Sequence, residues 1–223
     1  MVYGAIINDD AYNCLNHYYN TTVNPVIVTD PPFNIGYHYR TYRDKKNADE
    51  YFSELAELLH DKTCVIVHYP ESLHRLSIEM GRVPDRVCSW VYPSNTPRQH
   101  RDIAFYGISP DFNQVLRPYK NPNDKRIKEL MKKRTVARSY DWLEVNQVKN
   151  VSKEKTSHPC QMPLEVMLSV IGWLPKDSTI IDPFAGSGTT CAAAAKLGYQ
   201  WIAIEIDSEY CEIIKERVLT LHT

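Results

Sequence analysis

Short apolar runs bounded by polar residues alternate along the first half of the chain with stretches whose apolar positions recur at helical spacing. Gly4 to Ile7, Val26 to Thr29, Cys64 to His68 and Arg86 to Tyr92 read as strands, and Asp102 to Tyr106 as a further one. Between the second and third, Asn47 is placed to cap a helix that carries Phe52, Leu55, Leu58 and Leu59 on one side. Ser72 to Met80 predicts a shorter helix. After residue 163 the alternation returns. The pattern predicts a helix from Leu164 to about Trp173, a strand Ser178 to Ile181 and an alanine-rich helix Thr189 to Leu197. A strand from Gln200, ending at Glu205, and a helix Ser208 to Val218 follow. Strands that alternate with helices bury both faces of a parallel sheet, so the fold class is α/β.

Residues 109–156 break this rhythm. Pro110, Pro118 and Pro122 stand among few apolar residues, which describes a loop-rich insertion within one domain spanning residues 1–223. Inside it, Asn123 or Asp124 can cap a helix over Lys125 to Arg134, with Ile127, Leu130 and Met131 on one face and cations on the other. From Arg117 to Lys155 there are twelve Lys or Arg against five acids, so this stretch carries +7 and the remainder of the chain −8. A net charge of −1 therefore conceals a basic block suited to phosphate. Arg126, Lys132, Lys133 and Arg134 are its candidate phosphate contacts, with Arg98 and Arg101 as further candidates outside it.

Composition otherwise adds little. No apolar stretch is long enough to span a membrane, and Met1 to Asn8 lacks a basic region followed by an apolar one, so a cytoplasmic protein with no membrane partner is expected. The six cysteines form no CxxC or Cys/His cluster, which predicts neither a metal site nor disulfides. Tyr37, Tyr39 and Tyr42 read as packing residues, and His38 and His100 as exposed polar ones.

Two motifs carry the chemistry. Asp30-Pro31-Pro32-Phe33 ends an apolar strand, where an open α/β sheet binds its ligands. Far downstream, Asp182-Pro183-Phe184-Ala185-Gly186-Ser187-Gly188-Thr189-Thr190 leaves a strand and opens a helix. Small residues there let backbone approach a nucleotide-like ligand, and Glu205 ends the next strand, where a carboxylate can take both ribose hydroxyls. The loop lacks both GxxxxGK[ST] and the third glycine of GxGxxG, so it is neither a P-loop nor a full dinucleotide fingerprint.

Together these motifs resemble the S-adenosylmethionine-dependent amino-methyltransferases of DNA. Asp30 to Phe33 is similar to their catalytic (D/N/S)PP(Y/F) motif, Asp182 to Thr190 to their cofactor loop, and the order of the two to the β group. His158-Pro159-Cys160-Gln161-Met162-Pro163 resembles the HPTQKP stretch that precedes the loop. Cys160 and Met162 replace its threonine and lysine, so no lysine contact to the cofactor is carried over. Asn8-Asp9-Asp10-Ala11 resembles the acidic turn near the cofactor adenine, and Trp90 with Arg98 to Tyr106 the segment near the target base. The resemblance covers roughly residues 4–107 and 157–218 and implies a Rossmann-like methyltransferase fold with a mostly parallel sheet.

It further implies that Asp30, Pro31, Pro32 and Phe33 are catalytic. Asp10, Asp30, His158, Asp182, Phe184, Ala185, Gly186, Ser187, Gly188, Thr189, Thr190 and Glu205 would hold S-adenosylmethionine. An exocyclic amine is a poor nucleophile because its lone pair is delocalised into the ring. Asp30 and the Pro31 carbonyl can accept its two N–H groups and free that lone pair, while Phe33 offers a face to a base flipped out of the duplex. Aspartate at this position is associated mainly with N6 of adenine in double-stranded DNA. Alternatives are N4 of cytosine, an RNA amine, or a silent protein that binds cofactor and DNA. The short insertion leads us to expect a short target or a homodimer, and a restriction endonuclease is a candidate functional partner.

Overall fold

A computed structural model describes residues 4–95 and 97–219. The first half contains β1 (Gly4–Asn8), α1 (Ala11–Thr21), β2 (Pro25–Thr29), α2 (Ala48–Leu59), β3 (Cys64–His68), α3 (Pro70–Glu79), β4 (Arg86–Val91) and β5 (His100–Tyr106). Then come β6 (Leu116–Arg117), α4 (Lys125–Lys133), β7 (Ala137–Arg138) and β8 (Trp142–Glu144). The chain closes through α5 (Leu164–Gly172), β9 (Thr179–Asp182), α6 (Thr189–Lys196), β10 (Gln200–Glu205) and α7 (Ser208–Leu219).

Eight strands form one sheet in the order β1-β10-β9-β2-β3-β5-β4-β8, and β6 pairs with β7 apart from it. Alternate residues of each central strand serve opposite layers, as the pleat requires. Val26, Val28, Val65 and Val67 pack with α5, α6 and α7, whereas Ile27, Cys64 and Ile66 pack with α1, α2 and α3. Both faces are covered, which is why these strands read as continuous apolar runs rather than as alternations.

The expected parallel sheet holds except at β5, which runs antiparallel to both β3 and β4. The connection between β4 and β5 is too short for a crossover helix, so the two form a hairpin. Two further readings are corrected. α1 was not predicted, because its sequence AYNCLNHYYNT fully buries only Ala11 and Leu15, while Cys14, Tyr18 and Tyr19 meet the core in part and its apolar signal is weak. Nor is residues 109–156 merely a loop-rich insertion. β8 lies within that segment and extends the main sheet beside β4, with Leu143 and Val145 buried.

Candidate active site

β2 and β9 lie side by side, with Val26 opposite Ile180 and Ile27 opposite Ile181. From β9 the chain passes through α6 to β10 on one side, and from β2 through α2 to β3 on the other. Neighbouring strands whose connections diverge leave a crevice at their carboxyl ends. A cavity of about 300 Å³ opens there. Asp30, Pro31, Pro32 and Phe33 line it from β2, and Asp182 with Phe184, Ala185, Gly186 and Ser187 from β9. Thr189 and Thr190 of α6, Glu205 of β10, Asp10 before α1 and His158 complete the predicted set. Gly188 does not line the cavity. It caps α6 at φ +72°, and a Cβ there would lie 2.8 Å from Ile214.

The loop after β9 is held from several directions. Gly186 has φ +51°, and a Cβ on it would stand 3.0 Å from His158 Nε2, so only glycine passes at this point. Its N–H donates to Glu205 Oε2 at 2.7 Å, and Asp207 N–H donates to Oε1 at 2.9 Å. Burial raises the Glu205 carboxyl above its usual range, and these backbone donors oppose it. Each Glu205 oxygen keeps a second lone pair for a ligand. The Asp182 carboxylate, by contrast, is engaged within the fold: Oδ1 accepts from Thr29 Oγ1 at 2.9 Å and from Phe184 N–H at 3.1 Å. Burial lifts its pKa to about 6, with hydrogen bonds from Thr190 and Thr29 opposing. Asp10 caps α1, accepting from Tyr12 N–H at 3.0 Å. His158 packs edge-on against Tyr210, with ring centroids 4.5 Å apart, and burial first and Lys155 second push its pKa down to about 4, so it is neutral.

At the other end, Asp30 keeps 21% of its side chain accessible. Burial raises its pKa to about 7, with Arg101 pulling it down and Asp182 pushing it up. Phe33 is flanked by His68 and Tyr69, with centroids at 4.4 and 4.9 Å, and the Arg101 guanidinium lies 4.5 Å from its ring centre. The Pro32 carbonyl accepts from Tyr51 Oη at 2.5 Å, and Tyr51 Oη lies 3.3 Å from His68 Nε2. The tautomer follows: Tyr69 N–H donates to His68 Nδ1 at 2.8 Å, so Nε2 carries the proton and donates to Tyr51. Burial pushes the His68 pKa down to about 3, which keeps that ring neutral.

Sequence reasoning missed Tyr51, His68 and Tyr39. Tyr39 lines the cavity 6.0 Å from the His158 ring, within a strap over residues 34–46. Asp44 organises this strap by accepting from the N–H groups of Asn34, Ile35 and Tyr37. Arg40 ties it to the turn before α7 through a two-pronged contact with Asp207 at 2.8 and 3.0 Å. Arg217 was missed as well: its Nη1 donates to Ser187 O at 2.8 Å and to Thr189 Oγ1 at 2.9 Å. Arg101, suggested as a phosphate contact, is instead enclosed beside Asp30. The candidate DNA contacts lie outside the cavity. Arg98 pairs with Glu71 at 2.7 Å and covers the Tyr69 ring, whereas Arg126, Lys132, Lys133 and Arg134 are exposed on or beside α4.

The sequence profile of the DNA methylase family, the N6/N4 methyltransferases, matches residues 25–216. The chain belongs to this family. Its members use S-adenosylmethionine to methylate an exocyclic amine of a DNA base. The Type II methyltransferase M.HpaI of Haemophilus parainfluenzae is 26% identical over 218 residues, covering 86% of this chain and 67% of that protein. M.ScaI of Streptomyces caespitosus is 44% identical over 71 residues, 31% of this chain and 23% of its own length. Among solved structures, the M1.HpyAVI–SAM complex aligns with TM-score 0.63 at 23% identity, covering 96% of this chain and 98% of the other. The cytosine-N4-specific PvuII DNA methyltransferase aligns with TM-score 0.68 at 16% identity, covering 100% and 91%. Both likenesses establish the fold.

The cavity suits the family's methyl donor on its own residues. A carboxylate with spare lone pairs, a backbone loop that only glycine keeps open and a neutral imidazole match ribose hydroxyls and a nucleoside better than a second anion. Among the described residues, no group of three His, Cys, Asp or Glu side chains is arranged to hold a metal ion. No helix there is long and apolar enough to cross a membrane.

Proposed function

We propose that this protein is a site-specific DNA methyltransferase that transfers the methyl group of S-adenosylmethionine to N6 of an adenine flipped out of double-stranded DNA. The observation that carries this reading is the placement of Asp30 in the same cavity as Gly186 and Glu205. One end offers acceptors to an amine and the other holds the donor. Asp10, His158, Glu205 and the loop from Asp182 to Thr190, Gly188 apart, bind the cofactor, which supplies an electrophilic methyl group when bound. Asp30 and the Pro31 carbonyl accept the amine's N–H groups and free its lone pair for in-line attack. The Pro32 carbonyl is occupied by Tyr51, so the prolines present their acceptors from a fixed backbone. A base beside Asp30 stacks on Phe33, whose ring is steadied by the Arg101 guanidinium 4.5 Å from its centre. Aspartate at the head of the motif favours adenine over cytosine.

Residues 109–156 form the target-reading segment of a domain that takes in the whole chain. Gln147, Val148 and Lys149 of this segment line the cavity, which supports that assignment, and α4 offers its cations to phosphate. Its small size favours a short target or a homodimer. Several relatives are named as Type II methyltransferases, which supports a pairing with a restriction endonuclease.

The test is incubation with methyl-labelled S-adenosylmethionine and duplex DNA, followed by digestion to nucleosides. Label in N6-methyladenine is the expected result. Label in N4-methylcytosine would reassign the base, and cofactor binding without transfer would leave a silent binding protein. Asp30→Ala should lower kcat by about 10²- to 10³-fold, the usual cost of removing one preorganised polar contact to the reacting centre.

A further inference from the structure

Arg101 enters the site only because β5 runs backwards. The register sets Trp90 opposite Arg101 and His68 opposite Asp102, so the first residues of β5 lie at the edge where β2 and β3 end. There the guanidinium is boxed by three rings, at 4.5 Å from the centre of Phe33, 5.2 Å from Trp90 and 5.6 Å from Tyr69. Among the described residues its one ion pair is with Asp30, Nη1 to Oδ2 at 3.5 Å. A buried pair kept for stability alone is normally saturated with hydrogen bonds, because each bare polar atom costs free energy. This one is not. Among the described residues, Asp30 Oδ1 and Arg101 Nε are both buried without a hydrogen-bond partner.

Among the described residues, Arg101 is the one cation that acts on Asp30. Asp182, at the end of β9, is an anion above pH 6. Tyr39 of the strap, Tyr51 of α2, Tyr92 after β4 and Cys160 before α5 all have pKa values raised by burial and stay neutral. Every other influence therefore favours the protonated carboxyl. A protonated Asp30 presents a donor where the target amine needs an acceptor.

We propose that Arg101 is a positioning residue for methyl transfer: held on Phe33, it keeps Asp30 ionised and oriented so that the carboxylate can accept an N–H of the target amine. This rests on the functional reading given above. Arg101 touches neither methyl group nor amine, and acts through the charge and orientation of Asp30.

The test compares the wild type with Arg101→Gln and Arg101→Lys, measuring kcat/KM on duplex DNA from pH 5.5 to 9.5 at fixed ionic strength. In the wild type kcat/KM should fall tenfold per pH unit on the acid side of about 7 and level off above it. An opposite charge at this range lowers a carboxyl pKa by about 1 to 3, so Arg101→Gln should move the acid limb up by a comparable interval. Its activity at pH 7 then drops by about 5- to 500-fold and recovers as the pH is raised through the shifted limb. Arg101→Lys keeps the charge and should hold the limb near the wild-type position. A uniform loss at every pH, with the limb unmoved, would overturn the proposal. In parallel, the ¹³C carboxyl resonance of Asp30 is titrated without DNA or cofactor. An upward move in Arg101→Gln supports the electrostatic role even where no methyl transfer is found, a case that would sink the functional reading alone. An unmoved resonance in a folded variant defeats the proposal alone.

Discussion

Glu205 shows how one carboxylate serves fold and ligand together. Its oxygens each take a backbone N–H, from Gly186 and from Asp207, and so fix both the glycine loop and the turn after β10. Glu205→Gln keeps the shape but must aim an amide NH₂ at one of those N–H donors. A buried donor left facing a donor costs about 1 to 3 kcal/mol, or about 5- to 150-fold in cofactor affinity if the loop bears the strain. Calorimetric titration with S-adenosylmethionine checks this, and an unchanged Kd would remove Glu205 from the cofactor site. The place of Glu205 at a strand end was legible in the sequence, because an acidic residue closes an apolar run. Its engagement with Gly186 was not, since that contact arises from the pairing of β9 with β10. Asp182 shows the same limit: its motif identified the loop, but only the neighbouring Thr29 reveals that its Oδ1 is tied into the fold.

At the scale of elements, the catalytic motif is steadied by α2 and β3. Tyr51 is almost fully buried one position before Phe52, the first residue of the apolar stripe read from the sequence. A tyrosine at such a place looks like core. Its distinguishing feature is the chain from His68 Nε2–H to Tyr51 and on to the Pro32 carbonyl, which requires three elements in place. Tyr51→Phe keeps the ring and leaves that carbonyl without its donor, at a cost of about 1 to 3 kcal/mol. We predict a fall in kcat of about 5- to 150-fold if that cost appears in the transition state, with cofactor affinity unchanged. Equal losses in kcat and in S-adenosylmethionine binding would instead indicate a general disturbance of the cavity. β5 marks where strand prediction stops being enough. Its residues were read correctly as a strand, but a periodicity carries no direction, so the antiparallel run that delivers Arg101 was invisible.

On the scale of the whole molecule, the two signs of charge are separated along the chain. The basic block between Arg117 and Lys155 was plain from composition, and so was a helix within it capped by Asp124, whose Oδ1 accepts from Arg126 and Ile127 N–H at 2.8 and 3.1 Å. What composition hid is the anchoring. β8 and the bond from Trp90 Nε1 to Val145 O at 2.7 Å fasten the end of the segment to the main sheet. α4, by contrast, buries none of its residues. A helix with so little packing is not held in place for the sake of the core, and its charges face water. Lys132 has an ion pair with Glu129 at 2.6 Å, but both side chains are 69% exposed, and such a pair contributes little that a phosphate could not replace. If α4 lies along duplex DNA, each phosphate it neutralises releases counterions and adds about 0.9 to the slope of log K against log salt. Replacing Lys132, Lys133 and Arg134 together with alanine should therefore flatten that slope by up to about 2.7 and weaken binding to all sequences alike. Methylation of the preferred site should keep its base specificity, because phosphate contacts set position and not sequence. Fluorescence anisotropy on cognate and scrambled duplexes over a salt series separates these effects. A slope equal to that of the wild type would take α4 off the DNA and leave the cavity-lining turn at Gln147 to Lys149 as the part of the segment that meets the target.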